Sequence, residues 1–274
     1  MDLILLIKAF VLGVVEGATE FLPVSSTGHL VIASQLMGMK DERTDLFLIV
    51  IQFAAIMAVC WEYRARLMRL ISITSLDQES MNLARNILVA FLPLAILGLL
   101  FGSQLKKILF APVPIAVAFI AGGLIILWAE RRKHTVTVNE LDEMTWKDAL
   151  KVGIAQAFAL IPGTSRSGAT IIGGLLFGLS RKAAAEFTFF LAIPTLGAAS
   201  LYDLFKHRDL LSFDDVGMWV VGLIASFASA FLVVRGLIRY VSKHDFTPFA
   251  WYRIAFGIIV LVTGQMGWVT WSPT

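Results

Sequence analysis

"EGATEFLPVSSTGHLV" (Glu16–Val31) places two carboxylates, two serines, a threonine and a histidine inside a stretch that otherwise reads as membrane. A second stretch, "PGTSRSGAT" (Pro162–Thr170), repeats the interruption with different polar groups. Polar side chains at membrane depth are costly, so they mark places where something is bound or made to react. How these two stretches fold decides the architecture.

The surrounding chain is strongly apolar. Of its 274 residues, 58% are hydrophobic and 16% charged, a balance unlike that of an ordinary soluble domain. A bilayer span takes about 20 apolar residues. Segments Leu46–Trp61, Ile87–Leu105, Pro112–Ala129, Phe187–Phe205, Val216–Ile238 and Phe249–Trp271 qualify, the first being slightly short. The expected fold is an all-α integral membrane protein forming a single membrane domain over 1–274. "MDLILLIKAFVLG" has no basic leader region and no small-residue cleavage site, so it reads as retained. The net charge is +3 and the basic residues lie mostly in loops. They read as orientation signals, and no nucleic-acid partner is implied. Cys60, the single cysteine, excludes an intrachain disulfide and a cysteine-based metal site.

Shifted by 140 residues, 13–38 ("GVVEGATEFLPVSSTGHLVIASQLMG") lies without gaps over 153–178 ("GIAQAFALIPGTSRSGATIIGGLLFG"). Six of 26 positions are identical, Ser25/Ser165 and Gly28/Gly168 among them. Each copy reads apolar helix, Pro/Ser/Thr/Gly break, short apolar helix, and three longer apolar segments follow each. The repeats are expected at about 1–130 and 148–274. A broken segment of this kind reads as a re-entrant hairpin, tolerated where it is buried in protein or lines a wet cavity. Three true crossings per half invert the second half, so the hairpins enter from opposite faces and meet near the midplane. The expectation is an inverted-topology repeat with six transmembrane helices and two re-entrant hairpins.

Loop charge orients this topology. Loops 62–85, 130–148, 179–183 and 239–248 carry twelve basic residues, against six in loops 39–45, 105–111 and 206–215. The first set is therefore expected in the cytoplasm, with both termini outward. Trp61, Trp128, Trp219, Trp251, Trp268 and Trp271 fall near span ends, where interfacial anchors sit.

Glu16 and Glu20 are four apart and share a helix face. Two such carboxylates repel each other unless a divalent cation, a shared proton or an arginine compensates. Pro23 ends the first helix. Ser25, Ser26 and Thr27 then stand at a helix start, where hydroxyls cap free N–H groups and the same N–H groups attract anions. His29 follows Ser26 by three residues, within a helical turn, and is expected to exchange a proton with the Ser26 hydroxyl or to touch phosphate. The second copy has Gln156 and Leu160 in place of the carboxylates and gains Arg166 opposite Ser26. That arginine needs an anion, either a glutamate of the first copy or a phosphate that fits its fork. Thr164, Ser165 and Ser167 surround it. Carboxylates, hydroxyls, a histidine, an arginine and two helix N-termini are together equipped for phosphoryl chemistry.

Two familiar patterns fail. "GLLFGLSRK" (Gly174–Lys182) has leucine where a nucleotide P-loop requires lysine. Histidine-nucleophile membrane phosphatases carry an Arg-Pro pair that this chain lacks, and a histidine where Ile172 stands. His134, His207 and His244 read as solvated loop residues.

"EGATEFLPVSSTGH" and "PGTSRSG" closely resemble the two signature motifs of the bacterial undecaprenyl-diphosphate phosphatase family, the bacitracin-resistance type. The resemblance covers the whole chain in length, segment order and motif placement. It implies an enzyme of the bacterial inner membrane that removes the terminal phosphate of undecaprenyl diphosphate and recycles the carrier lipid for peptidoglycan and other envelope polymers. It also implies six transmembrane helices with two re-entrant hairpins, a site opening to the periplasm and a divalent cation, Mg2+ or Ca2+.

On that resemblance, Glu20, Ser26, His29 and Arg166 are the expected catalytic residues, and Glu16 and Glu20 the metal ligands. Ser25, Thr27, Thr164, Ser165 and Ser167 are expected to bind phosphate beside Arg166. Ser26 is the expected nucleophile with His29 as base; Ser25, Ser165 and a metal-activated water are its alternatives. The rival class is a secondary transporter or lipid flippase built on the same inverted repeat. The expected partners are the polyprenyl diphosphate lipid and membrane lipids; the oligomeric state, a homodimer included, stays open.

Overall fold

The computed structural model describes residues 3–39, 41–71, 77–109, 111–210 and 215–267. Eleven α-helices occur among them. The first half contains α1 (Leu3–Thr19), α2 (Ser26–Leu36), α3 (Glu42–Glu62), α4 (Arg64–Ile71), α5 (Gln78–Leu109) and α6 (Pro112–Arg131). The second contains α7 (Trp146–Ala157), α8 (Arg166–Leu176), α9 (Arg181–Lys206), α10 (Val216–Val241) and α11 (Thr247–Gln265). Six helices, α3, α5, α6, α9, α10 and α11, are long and apolar enough to cross a membrane, and each contains one of the six expected segments or most of it. Together they make an all-α multi-pass membrane protein.

Two spans begin earlier than the apolar runs suggest. α5 starts at Gln78 and α9 at Arg181. Charged residues such as Arg85 and Glu186 continue these helices past their apolar parts, because helix geometry does not require apolarity. At 32 residues, α5 is about 48 Å long and overreaches the hydrocarbon. Leu99 on its outer face is 90% exposed, which suits contact with lipid.

The remaining helices build the hairpins. α1 has 17 residues, α2 11, α7 12 and α8 11. At about 1.5 Å per residue none of them spans the ~30 Å hydrocarbon core. The two copies correspond closely in backbone. α2 and α8 start and end 140 residues apart. Ser25 (φ 71°) and Ser165 (φ 70°) are the non-glycine residues with positive φ among the described residues, and they occupy aligned positions. Gly38 (φ 68°) and Gly178 (φ 94°) end the copies in the same left-handed turn.

Packing partners are exchanged between the halves. α1 lies on α10 and α7 on α5; α10 lies on α3 and α5 on α9. α6 pairs with α11 and α3 with α9. This is the pattern of a pseudo-two-fold axis, and it sets each hairpin against spans of the opposite half. One apolar core surrounds Phe187, Phe189, Phe190 and Leu191 of α9. A second joins Leu12, Phe47, Ile51 and Trp219.

Trp219 therefore departs from the expected interfacial role: it is 9% exposed and packs on Phe47 at 5.8 Å. Trp61, Trp128 and Trp251 are exposed as anchors should be, while Trp268 and Trp271 lie outside the described residues. His134, His207 and His244 are more than solvated. Each places a ring nitrogen on a carbonyl near the end of a helix, at Ala129, Asp203 and Tyr240.

Candidate active site

The break after α1 brings Ser26 over Glu20. On an unbroken helix, residues six apart point to different faces; here the turn over 20–25 reverses the chain between them. The Ser26 hydroxyl donates to Glu20 Oε2. Glu20 Oε1 accepts from Arg166 Nε at 3.4 Å and Nη2 at 3.2 Å, across 146 residues of sequence. Arg166 Nη1 donates to the Thr188 carbonyl of α9 at 3.2 Å. Hydroxyl, carboxylate and guanidinium thus form one chain, supplied by both hairpins. Its charged side chains are 4% and 9% exposed, a dry setting in which such contacts are strong.

Glu16, one turn before Glu20 on α1, is fully buried, and neither of its carboxylate oxygens has a hydrogen-bond partner. Its electrostatic neighbours are Glu20 and Arg166. At the aligned position, Gln156 is likewise fully buried with both amide atoms unpartnered. The donor set fits a hard divalent cation. Mg2+ is commonly held by one or two carboxylates and completed by substrate phosphate and water. Among the described residues no cluster of three or more His, Cys, Asp or Glu forms a complete protein cage.

The other hydroxyls separate into committed and open ones. Ser165 Oγ caps α8 by accepting from Gly168 N at 3.0 Å and lies 3.1 Å from Ser167 Oγ. Ser167 Oγ donates to the Leu22 carbonyl at 2.7 Å and ties the second hairpin to the first. That contact is a correction to Ser167 as a phosphate ligand: its hydroxyl proton is directed at backbone. Ser25 stands at the N-cap of α2 but makes no side-chain cap. Thr27 is exposed and Thr164 half-buried. Ser25, Thr27 and Thr164 border the free N–H groups of α2 and α8, where an anion is favoured.

The expected proton exchange between His29 and Ser26 is not formed. His29 Nδ1 donates to the Ser25 carbonyl at 2.7 Å, which leaves Nε2 to accept the Tyr252 hydroxyl at 2.7 Å. The ring stacks on Phe256 at 4.4 Å and on Tyr252 at 5.6 Å. Three residues of helix turn it from Ser26 towards α11, where these aromatics hold it. Glu20, not His29, is the side chain that the Ser26 hydroxyl meets.

Sequence reasoning missed Thr188, Tyr252 and Arg253. The Thr188 carbonyl and the Tyr252 hydroxyl carry no motif. Arg253 did carry a signal: an arginine inside an apolar span marks a functional position.

A family model described as "Bacitracin resistance protein BacA" matches residues 9–259. Undecaprenyl-diphosphatase 2 of Rhodospirillum rubrum is 64% identical over 273 residues, covering 99% of this chain and 100% of that one. The undecaprenyl-diphosphatase of Nitrosospira multiformis is 61% identical, covering 99% and 100%. That of Dechloromonas aromatica is 62% identical, covering 99% of each. These relatives are named for a hydrolase, which does not favour the transporter alternative. Both motifs, and the hairpins and spans around them apart from the outer residues of α1 and α11, fall inside the matched region, and this chain belongs to the BacA bacitracin resistance family.

Proposed function

We propose that this chain hydrolyses undecaprenyl diphosphate to undecaprenyl phosphate and inorganic phosphate. The reaction returns the carrier lipid to peptidoglycan and envelope-polymer synthesis and confers bacitracin resistance. The observation that carries the proposal is the buried chain from Ser26 through Glu20 to Arg166. It joins a nucleophile, its base and a phosphate-binding guanidinium.

The diphosphate head enters between the hairpin tips while the isoprenoid tail stays against the apolar helices. Ser26 Oγ attacks the terminal phosphorus and its proton passes to Glu20 Oε2. The bond from that phosphorus to the bridging oxygen breaks, and its electron pair leaves on undecaprenyl phosphate. Water then attacks the phosphoserine. Ser26 Oγ departs with the proton held by Glu20, and the hydrogens of water leave on phosphate and to solvent. Arg166 and the N–H groups opening α2 and α8 face the charge that develops on the phosphoryl oxygens. Ser25, Thr27 and Thr164 supply further contacts at the helix starts, and Ser165 keeps α8 capped. Glu16 and Glu20 would hold the divalent cation, Mg2+ or Ca2+, which supplies charge neutralisation when bound. His29 fixes the first turn of α2 through the Ser25 carbonyl.

The chain is read as resident in the bacterial inner membrane, with its site opening to the periplasm and both termini outward. Twelve basic residues in one set of loops against six in the other support that orientation.

Purified protein with Mg2+ is expected to release phosphate from an isoprenyl diphosphate, and EDTA to stop it. No release by the wild type overturns the reading, and release untouched by EDTA removes the cation from it.

A further inference from the structure

Arg253 is the seventh of the 19 residues of α11 and is 1% exposed. Its five N–H groups meet five backbone carbonyls. Nε donates to Phe119 at 3.3 Å, Nη1 to Pro23 at 3.1 Å and Thr164 at 3.0 Å, and Nη2 to Ala118 and Gly163 at 3.0 Å each. The Phe119 ring lies 5.4 Å from the guanidinium carbon. No carboxylate pairs with it among the described residues.

The acceptors are informative. Pro23 is the tip of the first hairpin, three residues before Ser26. Gly163 and Thr164 are the tip of the second, three and two residues before Arg166. Tip carbonyls lie between helices and have no intrahelical donor. Ala118 and Phe119 belong to α6, so one planar fork ties both tips to a third element. Only arginine offers five donors in a plane; lysine offers three around a single point.

We infer that Arg253 is a positioning residue for the reaction. It clamps the two hairpin tips at a fixed separation and thereby sets Ser26 and Glu20 against Arg166. It touches none of those three side chains and acts through backbone alone. The inference deepens the phosphatase reading and rests on it. A misplacement of about 1 Å at a reacting centre costs on the order of a hundredfold in rate. Gly122 gives an independent handle: a Cβ there would lie 2.2 Å from Arg253 Nη2. Gly122→Ala therefore displaces the fork without removing its charge.

The test compares wild type, Arg253→Lys, Arg253→Met and Gly122→Ala, purified in detergent and normalised to folded protein by size exclusion. Two quantities are read: kcat and KM for phosphate release, and amide hydrogen exchange in the tips (21–25 and 161–165) against α3 and α9. In the variants kcat is expected to fall by about tenfold or more while KM moves by less than about threefold. Exchange should quicken in both tips together, with α3 and α9 unchanged. Unchanged kcat per folded protein overturns the inference. So does exchange that rises evenly along the chain, since that marks a general stability role. Where the Arg253 variants fail to fold, Gly122→Ala is judged by the same criteria. A wild type that releases no phosphate sinks the phosphatase reading instead, and tip exchange still decides whether the clamp exists.

Discussion

Glu20 is the residue on which the site turns, because one of its oxygens serves the Ser26 hydroxyl and the other the Arg166 guanidinium. Glu20→Gln keeps the shape but loses the proton acceptor, so kcat is expected to fall by about 10²–10⁴; phosphate release at saturating substrate measures it. Tyr252→Phe discriminates between roles for His29. Removing the hydroxyl leaves His29 Nε2 buried without a donor, at about 1–3 kcal/mol of stability. Turnover should change by less than about tenfold, because Ser26 is not in that pair. A loss as large as that of Glu20→Gln would restore His29 as the base.

The motif residues were legible in sequence because each is an expensive group in an apolar run. Their pairings were not. Tyr252 reaches His29 across 223 residues and Ser167 reaches Leu22 across 145, and only tertiary packing decides such contacts. The i,i+3 spacing of Ser26 and His29 misled because helical proximity does not say which way a ring turns.

At the scale of elements, the spans were legible from length and apolarity, and the hairpins from Pro23 and the glycine-rich break. Where a helix continues through charged residues, as at the start of α9, hydropathy says nothing. The hairpin seats depend on close backbone approach. A Cβ on Gly17 would lie 2.2 Å from the Ser226 carbonyl of α10. Gly17→Val should lift α1 off α10 and destabilise the protein by about 1–3 kcal/mol or more, read as a lower Tm.

α3 has its own test. Asp41 caps it by accepting from Thr44 N at 2.9 Å and Thr44 Oγ1 at 2.5 Å. The Thr44 hydroxyl, ahead of the backbone donors, holds the Asp41 carboxyl below its usual pKa. The stabilisation is therefore complete above the unfolded pKa, about 3.9, and is lost as pH falls through the lower folded value. Asp41→Ala should lower stability by about 1 kcal/mol at neutral pH, with the difference from wild type shrinking in acid.

At the scale of the whole molecule, the exchange of packing partners between halves places the polar chain at their junction. The first hairpin brings the carboxylates and the Ser26 hydroxyl, and the second brings the guanidinium. The internal repeat was legible from six shared positions in 26, and so was the exchange of Glu16 and Glu20 for Gln156 and Leu160 with the gain of Arg166; the asymmetry of the spans that support the two copies was not. Arg253 on α11 packs beside Gly168 of the second copy, whereas Phe119 on α6 packs beside Gly28 of the first.

The orientation is tested in a Cys60→Ala background with single cysteines. A membrane-impermeant maleimide applied to intact cells should label position 206 and spare positions 133 and 243. The reverse pattern would invert the topology.

A site shared between the two hairpins is tested by the phosphate-release rate of Ser26→Ala, Arg166→Lys and the double variant. Residues that act as a unit across the two hairpins should each cost about a hundredfold or more alone, and the double variant should be little worse than the poorer single. Either single variant keeping most of its turnover, or two losses that simply multiply, would contradict a site shared between the hairpins.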